Sequence, residues 1–141
     1  MIILDTNVIS ELLRHEPSEE VLRSLRNLPS ANIYTTAIAE AEIRFGLAIL
    51  PRGRRRDALK TQVDVILKED FAGRILPFDS EAAQAYAQIV AARRAKGRPM
   101  SLFDAQIAAI AQTQGATLVT RNARDFDACG LEVINPWRHP V

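Results

Sequence analysis

Met1-Ile2-Ile3-Leu4-Asp5-Thr6-Asn7 opens with four apolar residues that run straight into a carboxylate, a hydroxyl and an amide. An apolar run without alternation fits a strand buried on both faces, as in parallel sheets. The polar triplet marks the strand's carboxyl end. Ligands of open α/β sheets bind just outside those ends, which puts Asp5 on the functional rim of the fold.

Outward from this strand, helices and strands alternate. Thr6 or Asn7 caps a helix through Leu13. Pro17-Ser18-Glu19-Glu20 opens a second helix, since Pro and acids suit a first turn. Val21, Leu22, Leu25 and Leu28 are its apolar stripe. Asn32-Ile33-Tyr34-Thr35 reads as a second strand, and Thr36 caps a helix to about Leu50. The basic turn Pro51 to Arg56 leads into a helix through about Glu69, with Leu59, Val63, Ile66 and Leu67 inward. Arg74-Ile75-Leu76-Pro77-Phe78 reads as a third strand, at a sheet edge because Pro77 cannot donate to a ladder. Asp79-Ser80-Glu81 starts a helix that stops at Gly97. Ser101 to Asp104 starts another, ending at Gly115. Ala116 to Thr120 is a fourth strand, Arg121 to Phe126 a turn and short helix, and Leu131 to Ile134 a last strand.

This alternation predicts a single α/β domain over residues 1–141, with a mostly parallel four- to five-stranded sheet flanked by helices. The first and fourth strands are the most apolar. They are expected to be central and adjacent, so that Asp5 and Asn122 meet at one sheet edge.

The net charge of +1 gives no global pull on a polyanion, so any such affinity must come from local clusters. Arg52 to Arg56 and Arg93 to Arg98 are the two basic runs. The single cysteine, Cys129, excludes an internal disulfide and fits a reducing compartment. No run approaches the ~18 apolar residues of a membrane span. Asp5 interrupts the first apolar run, which speaks against a signal peptide. A cytoplasmic protein without membrane contact is expected.

Three acids stand out. Glu42 lies one helical turn from Ile38, Phe45 and Gly46, so it shares their apolar face. Carboxylates seldom face a core without a partner. Asp104 sits at the edge of the stripe Phe103, Ile107 and Ile110, above Ala108 and Ala111, which are small enough to admit another element. Each acid also has an ordinary explanation. Asp5 suits a helix cap, Asp104 a capping box with Ser101, and Asn122 and Asp125 a second such pair. Glu42 suits a buried ion pair with an arginine.

Were Asp5, Glu42 and Asp104 to converge, they would repel one another and need a shared cation or raised pKa values. Oxygen ligands select Mg²⁺ or Mn²⁺ over Zn²⁺, and His15 and His139 stand alone. Such ions on carboxylates typically handle phosphate oxygens. Other acidic α/β patterns fit less well. Asn7 occupies the position where a haloacid-dehalogenase-type phosphatase needs a second Asp. A receiver's paired acids and late Lys are absent, as are Walker, dinucleotide and nucleophile-elbow motifs.

Four stretches together resemble the PIN-domain ribonucleases. They are Asp5 to Ser10, Glu42 in Ala41-Glu42-Ile43-Arg44-Phe45-Gly46, Asp104 to Ala109, and Val119 to Phe126. More narrowly the chain is similar to VapC-type toxins of toxin–antitoxin pairs. Phe71 to Asp79 and Asn135-Pro136-Trp137 resemble the FitB-like branch. The resemblance implies a PIN-type fold and a Mg²⁺-dependent endoribonuclease, with Mn²⁺ as the alternative ion. It implies Asp5 and Asp104 as metal ligands, and Glu42 as a further acid holding the metal or its water. Thr6, Asn7 and Thr120 would orient these carboxylates. Asn122 stands where the family often carries a fourth acid; it can ligate through its carbonyl, or Asp125 can substitute. Arg54, Arg55, Arg94 and Arg98 become candidate RNA contacts. The implied partners are an RNA substrate, a second copy of the chain and a VapB-type antitoxin that forms a higher assembly and alone contacts operator DNA. A PIN fold that binds RNA or protein without cutting is the alternative.

Overall fold

The computed structural model describes residues 1–141. Ile2–Leu4 (β1), Ile33–Thr36 (β2), Ile75–Leu76 (β3), Thr117–Val119 (β4) and Val133–Ile134 (β5) form one sheet in the order β3-β2-β1-β4-β5. Every neighbouring pair is parallel. Six helices flank it: Thr6–Leu12 (α1), Glu19–Leu25 (α2), Ala37–Ala48 (α3), Arg54–Asp64 (α4), Ser80–Ala95 (α5) and Leu102–Thr113 (α6).

β1 and β4 are central, as their apolar runs require. Ile3 pairs with Leu118 and Leu4 with Val119. Successive side chains of a strand point to opposite faces. Ile3 and Leu118 therefore enter a core with Ala82 and Ile89 of α5 and Ile107 to Ala111 of α6. Leu4 and Val119 enter a second core with Val8, Val21, Ile43 and Val63, from the first four helices. All four strand residues are fully buried, each contributing about 1.5–3 kcal/mol of transfer free energy. β3 is an edge strand, followed at once by Pro77. No helix is long and apolar enough to cross a membrane.

Several local expectations are corrected. Asn32 ends a 3₁₀ turn, Ser30–Asn32, before β2 begins. After α4 the chain continues as a π-helical segment, Val65–Asp70, which a period of 3.6 does not anticipate. The apolar stripe read around Glu42 is not the core face. Phe45 is 66% exposed, and Ala39, Ile43 and Leu47 face inward instead. The helical turn explains this: at 3.6 residues per turn, Phe45 lies roughly opposite Ile43, while Glu42 lies on the flank between. Phe103 is likewise 52% exposed. Arg93, inside the second basic run, is only 5% exposed. Its guanidinium donates to the carbonyls of Arg98, Asp125 and Asp127, at 2.7, 3.1 and 2.6 Å. It is a structural clamp on the 125–129 loop, and a charge surrounded by carbonyl acceptors is tolerated in a core.

Candidate active site

Asp5 stands at the carboxyl end of β1 and caps α1. Its N–H donates to the Val119 carbonyl at 2.9 Å, which continues the ladder to β4. Its side chain is 5% exposed. Oδ1 accepts from the Thr6 N–H at 2.8 Å, the capping bond. Oδ2 accepts from the Thr120 hydroxyl at 2.7 Å and from Asn7 Nδ2 at 3.3 Å. Asn7 also donates to Thr120 Oγ1 at 3.2 Å and accepts from the Arg121 N–H at 3.1 Å. Burial pushes the Asp5 carboxyl above the usual carboxylate range. The bonds from Thr120 and Thr6 oppose that shift, and the charge of Asp125 adds to it.

Glu42 comes from the middle of α3. Its Oε1 accepts from the Thr6 hydroxyl at 2.9 Å. Burial raises its carboxyl, the Thr6 bond opposes, and the charges of Asp5 and Asp104 raise it further. No arginine pairs with it; Arg44 pairs instead with Glu40 and Asp64. Asp104 lies in the first turn of α6, where the Ser101 cap accepts from its N–H at 3.2 Å. The capping expectation therefore holds for Ser101 and leaves Asp104 in the cleft. Burial raises the Asp104 carboxyl, then the Asp5 charge; Ser101 opposes, and Asp125 raises it again.

Asp5, Glu42 and Asp104 line one open cleft of about 600 Å³, together with Thr6, Asn7 and Asn122. Thr6, Asn7 and Thr120 all hydrogen-bond to the acids or to one another. The Asn122 N–H donates to Thr120 Oγ1 at 3.2 Å, and its side chain makes no capping bond to the 3₁₀ helix Ala123–Phe126 that follows. Asp125 lies in that helix and lines the adjoining cleft, yet its charge reaches Asp5 and Asp104. Arg55 lines a groove shared with Thr6 and Glu42. Arg54 is exposed at the start of α4, Arg94 is exposed near the end of α5, and Arg98 pairs with Asp127 at 3.5 Å.

Five residues of the cleft carry no role in the sequence reading: Ser10, Glu11, Arg14, Arg121 and Trp137. Glu11 is 5% exposed and accepts from Arg14 at 3.2 Å and from the Ser18 N–H at 3.1 Å. Its place four residues after Asn7, on the same helical face, was the available signal. Arg121 lies over the Trp137 ring, 4.8 Å from its centroid. Sixteen residues of sequence separate this pair, with no periodic signal.

Known proteins are similar to this chain over almost all of its length. The PIN domain family model matches residues 2–130. The VapC ribonuclease Y4jK of Sinorhizobium fredii is 42% identical over 137 residues, spanning 97% of this chain and 98% of its own. Toxin FitB of Neisseria gonorrhoeae is also 42% identical over 137 residues, spanning 97% of this chain and 99% of its own. The solved structure of FitAB bound to an IR36 DNA fragment has a TM-score of 0.91 at 42% identity, covering 97% of this chain and 96% of that one. Acids from β1, α3 and α6 meet at the carboxyl end of a parallel sheet, on a chain that the family model spans almost completely: it belongs to the PIN domain family.

Proposed function

We propose that this chain is a Mg²⁺-dependent endoribonuclease, the toxin of a type II toxin–antitoxin module, working in the cytoplasm. The observation that carries this reading is the gathering of Asp5, Glu42 and Asp104 in one cleft, with all three carboxyls raised by burial. The similarity to a VapC ribonuclease and to toxin FitB supports it.

The donor set suits a hard ion, being oxygen throughout. No trio of acidic, His or Cys side chains is tight enough to hold a metal on its own. Mg²⁺ rarely takes an all-protein cage; it is held by one or two carboxylates and keeps several waters. Asp5 and Asp104 fit that pair, and Asn122 can add a carbonyl. Bound there, the ion would neutralise phosphate charge and polarise the phosphoryl group. The chain's own residues do the rest. Thr120, Asn7 and the Thr6 N–H fix the orientation of Asp5. Thr6 holds one oxygen of Glu42 and leaves the other to take the proton of an attacking water. The raised pKa of Glu42 suits it to that role. Arg54, Arg55, Arg94 and Arg98 would contact phosphates, Arg55 from the groove beside Glu42.

The proposed partners are RNA, a second copy of the chain and a VapB-type antitoxin that closes the cleft and carries DNA contacts. The exposed Phe45, Leu102 and Phe103, on the helices bearing Glu42 and Asp104, and Ile49 at the C-terminal end of α3, supply apolar area for such contacts. One feature favours a non-catalytic RNA- or protein-binding module: Asn122 lines the cleft as an amide where a charge would tighten metal binding. Incubating the purified chain with labelled RNA in Mg²⁺ separates the two. Cleavage that EDTA abolishes supports the nuclease, and binding without cleavage overturns it.

A further inference from the structure

Beside the acidic cleft lies a basic one of about 680 Å³, lined by Arg121, Arg124, Arg138 and His139 around Asp125, with Asn122 common to both. Three guanidiniums against one carboxylate is a local excess in a chain whose net charge is +1. None of the three arginines makes an ion pair. Arg121 lines both clefts and is held before any ligand arrives. Its N–H donates to Asn7 Oδ1 at 3.1 Å, its carbonyl accepts from Asn135 Nδ2 at 3.2 Å, and its guanidinium lies over Trp137. Asn135 in turn accepts from the Trp137 N–H at 2.9 Å. The same two asparagines thus tie Asp5, Arg121 and Trp137 into one framework.

We propose that RNA leaves the acidic cleft across Arg121 and Trp137 and lays its following phosphates in the Arg124–Arg138–His139 cleft as an unpaired strand. The inference rests on the ribonuclease reading and adds the path that the substrate takes across this chain. Free guanidiniums match phosphate oxygens. The Trp137 ring is partly buried against the Leu4–Val119 core and lies under the exposed Arg121 guanidinium, whose outer plane offers a stacking face that only an unpaired base can use. A duplex would present its phosphates here but hide its base faces.

Trp137 is the only tryptophan and lines the acidic cleft beside Arg121, so its fluorescence reports RNA at the start of this path, and the Arg124 and Arg138 variants report the stretch beyond it. An unstructured RNA oligonucleotide is titrated into the Asp104→Asn chain in Mg²⁺, following Trp137 fluorescence and, with a labelled copy, anisotropy. The RNA is expected to quench Trp137. Arg124→Glu with Arg138→Glu is expected to weaken binding at least about tenfold and to lower the salt slope by about 1.4, two phosphates at ~0.7 each. Both side chains are exposed and unpaired, so the melting temperature should hold. If the double variant melts early, the single Arg→Ala variants should each lose about half that slope. RNA that binds without quenching, or with an unchanged slope in the variants, overturns the path; the nuclease reading survives if the wild-type chain cuts the same RNA. A wild-type chain that neither binds nor cuts overturns both. Stronger binding of duplex DNA or polyglutamate, lost in the same variants, overturns it by assigning the cleft another occupant.

Discussion

The Thr120 hydroxyl donates to Asp5 Oδ2 at 2.7 Å, joining residues 115 apart at the ends of two adjacent strands. The bond exists because β1 and β4 are paired in register, Leu4 against Val119. The same oxygen accepts from Asn7 and from the Asn122 N–H. Thr120→Val keeps the shape and removes all three. A buried hydrogen bond to a charged group contributes about 2 kcal/mol. The melting temperature should fall by about 6 °C, and Thr120→Ser should recover most of it. An unchanged melting temperature in the valine variant would show that the bond contributes nothing.

Asp104→Asn separates site from scaffold. Asp5 and Asp104 raise each other's cost of ionisation, so removing one charge relieves repulsion when no metal is bound. The Ser101 cap uses the Asp104 backbone and persists. Metal-free stability should hold within about 0.5 kcal/mol or rise, while RNA cleavage is lost. A drop of several degrees in EDTA, read by thermal unfolding, would assign Asp104 to the scaffold instead.

The acids also set the pH dependence of metal-free stability. Asp5, Glu42 and Asp104 all titrate above their ordinary values in the folded chain. The native state therefore holds protons that the unfolded state has released, and stability falls as pH climbs through the raised values. Asp64 runs the other way: hydrogen bonds from Lys60 and Arg44 hold it at about 2. Its contribution is present above its ordinary value of 3.8 and lost as pH drops towards 2. In EDTA the melting temperature should rise as the pH descends from neutrality towards the ordinary carboxylate values, 3.8 for Asp5 and Asp104 and 4.5 for Glu42, and fall once the descent passes 3.8 and Asp64 protonates. Saturating Mg²⁺ should flatten the upper limb. A melting temperature that drops steadily over the same descent contradicts the assignment of these shifts to the three acids.

Asn122→Asp places a fourth charge in the cleft. Without metal it should lower the melting temperature slightly, through repulsion with the acids already there. With Mg²⁺ it should enlarge the stabilisation, since a tighter ion stabilises the native state more at equal concentration. Identical Mg²⁺-induced shifts in the variant and wild type would place residue 122 out of reach of the ion.

Much of this was legible in local patterns. The apolar run of β1, Gly97 and Gly115 at helix ends, and Pro77 beside the edge strand each act over a few residues. Asp5 followed from the strand end alone. The stripe of Ile38, Phe45 and Gly46 points to Glu42 for a reason the structure does not bear out, because Phe45 faces solvent; what marks Glu42 is its place between the buried Ile43 face and the cleft. Arg93 reads as one more solvated base in a run of them, and only the carbonyls of residues 98, 125 and 127 show that it is buried. The Arg121–Trp137 stack depends on how the tail returns past β5. Long-range geometry of that kind has no period to betray it.

A metal-dependent nuclease centred on Asp5 is tested most directly by the rate of RNA cleavage by the wild-type chain and by Asp5→Asn, each across a Mg²⁺ titration. The wild-type rate should rise with Mg²⁺ and vanish in EDTA. The variant should fold, with a rate at least about a hundredfold lower at saturating ion, the scale seen when one charge-stabilising group is removed from a reacting centre. Equal rates for the two chains, or cleavage indifferent to EDTA, would contradict it.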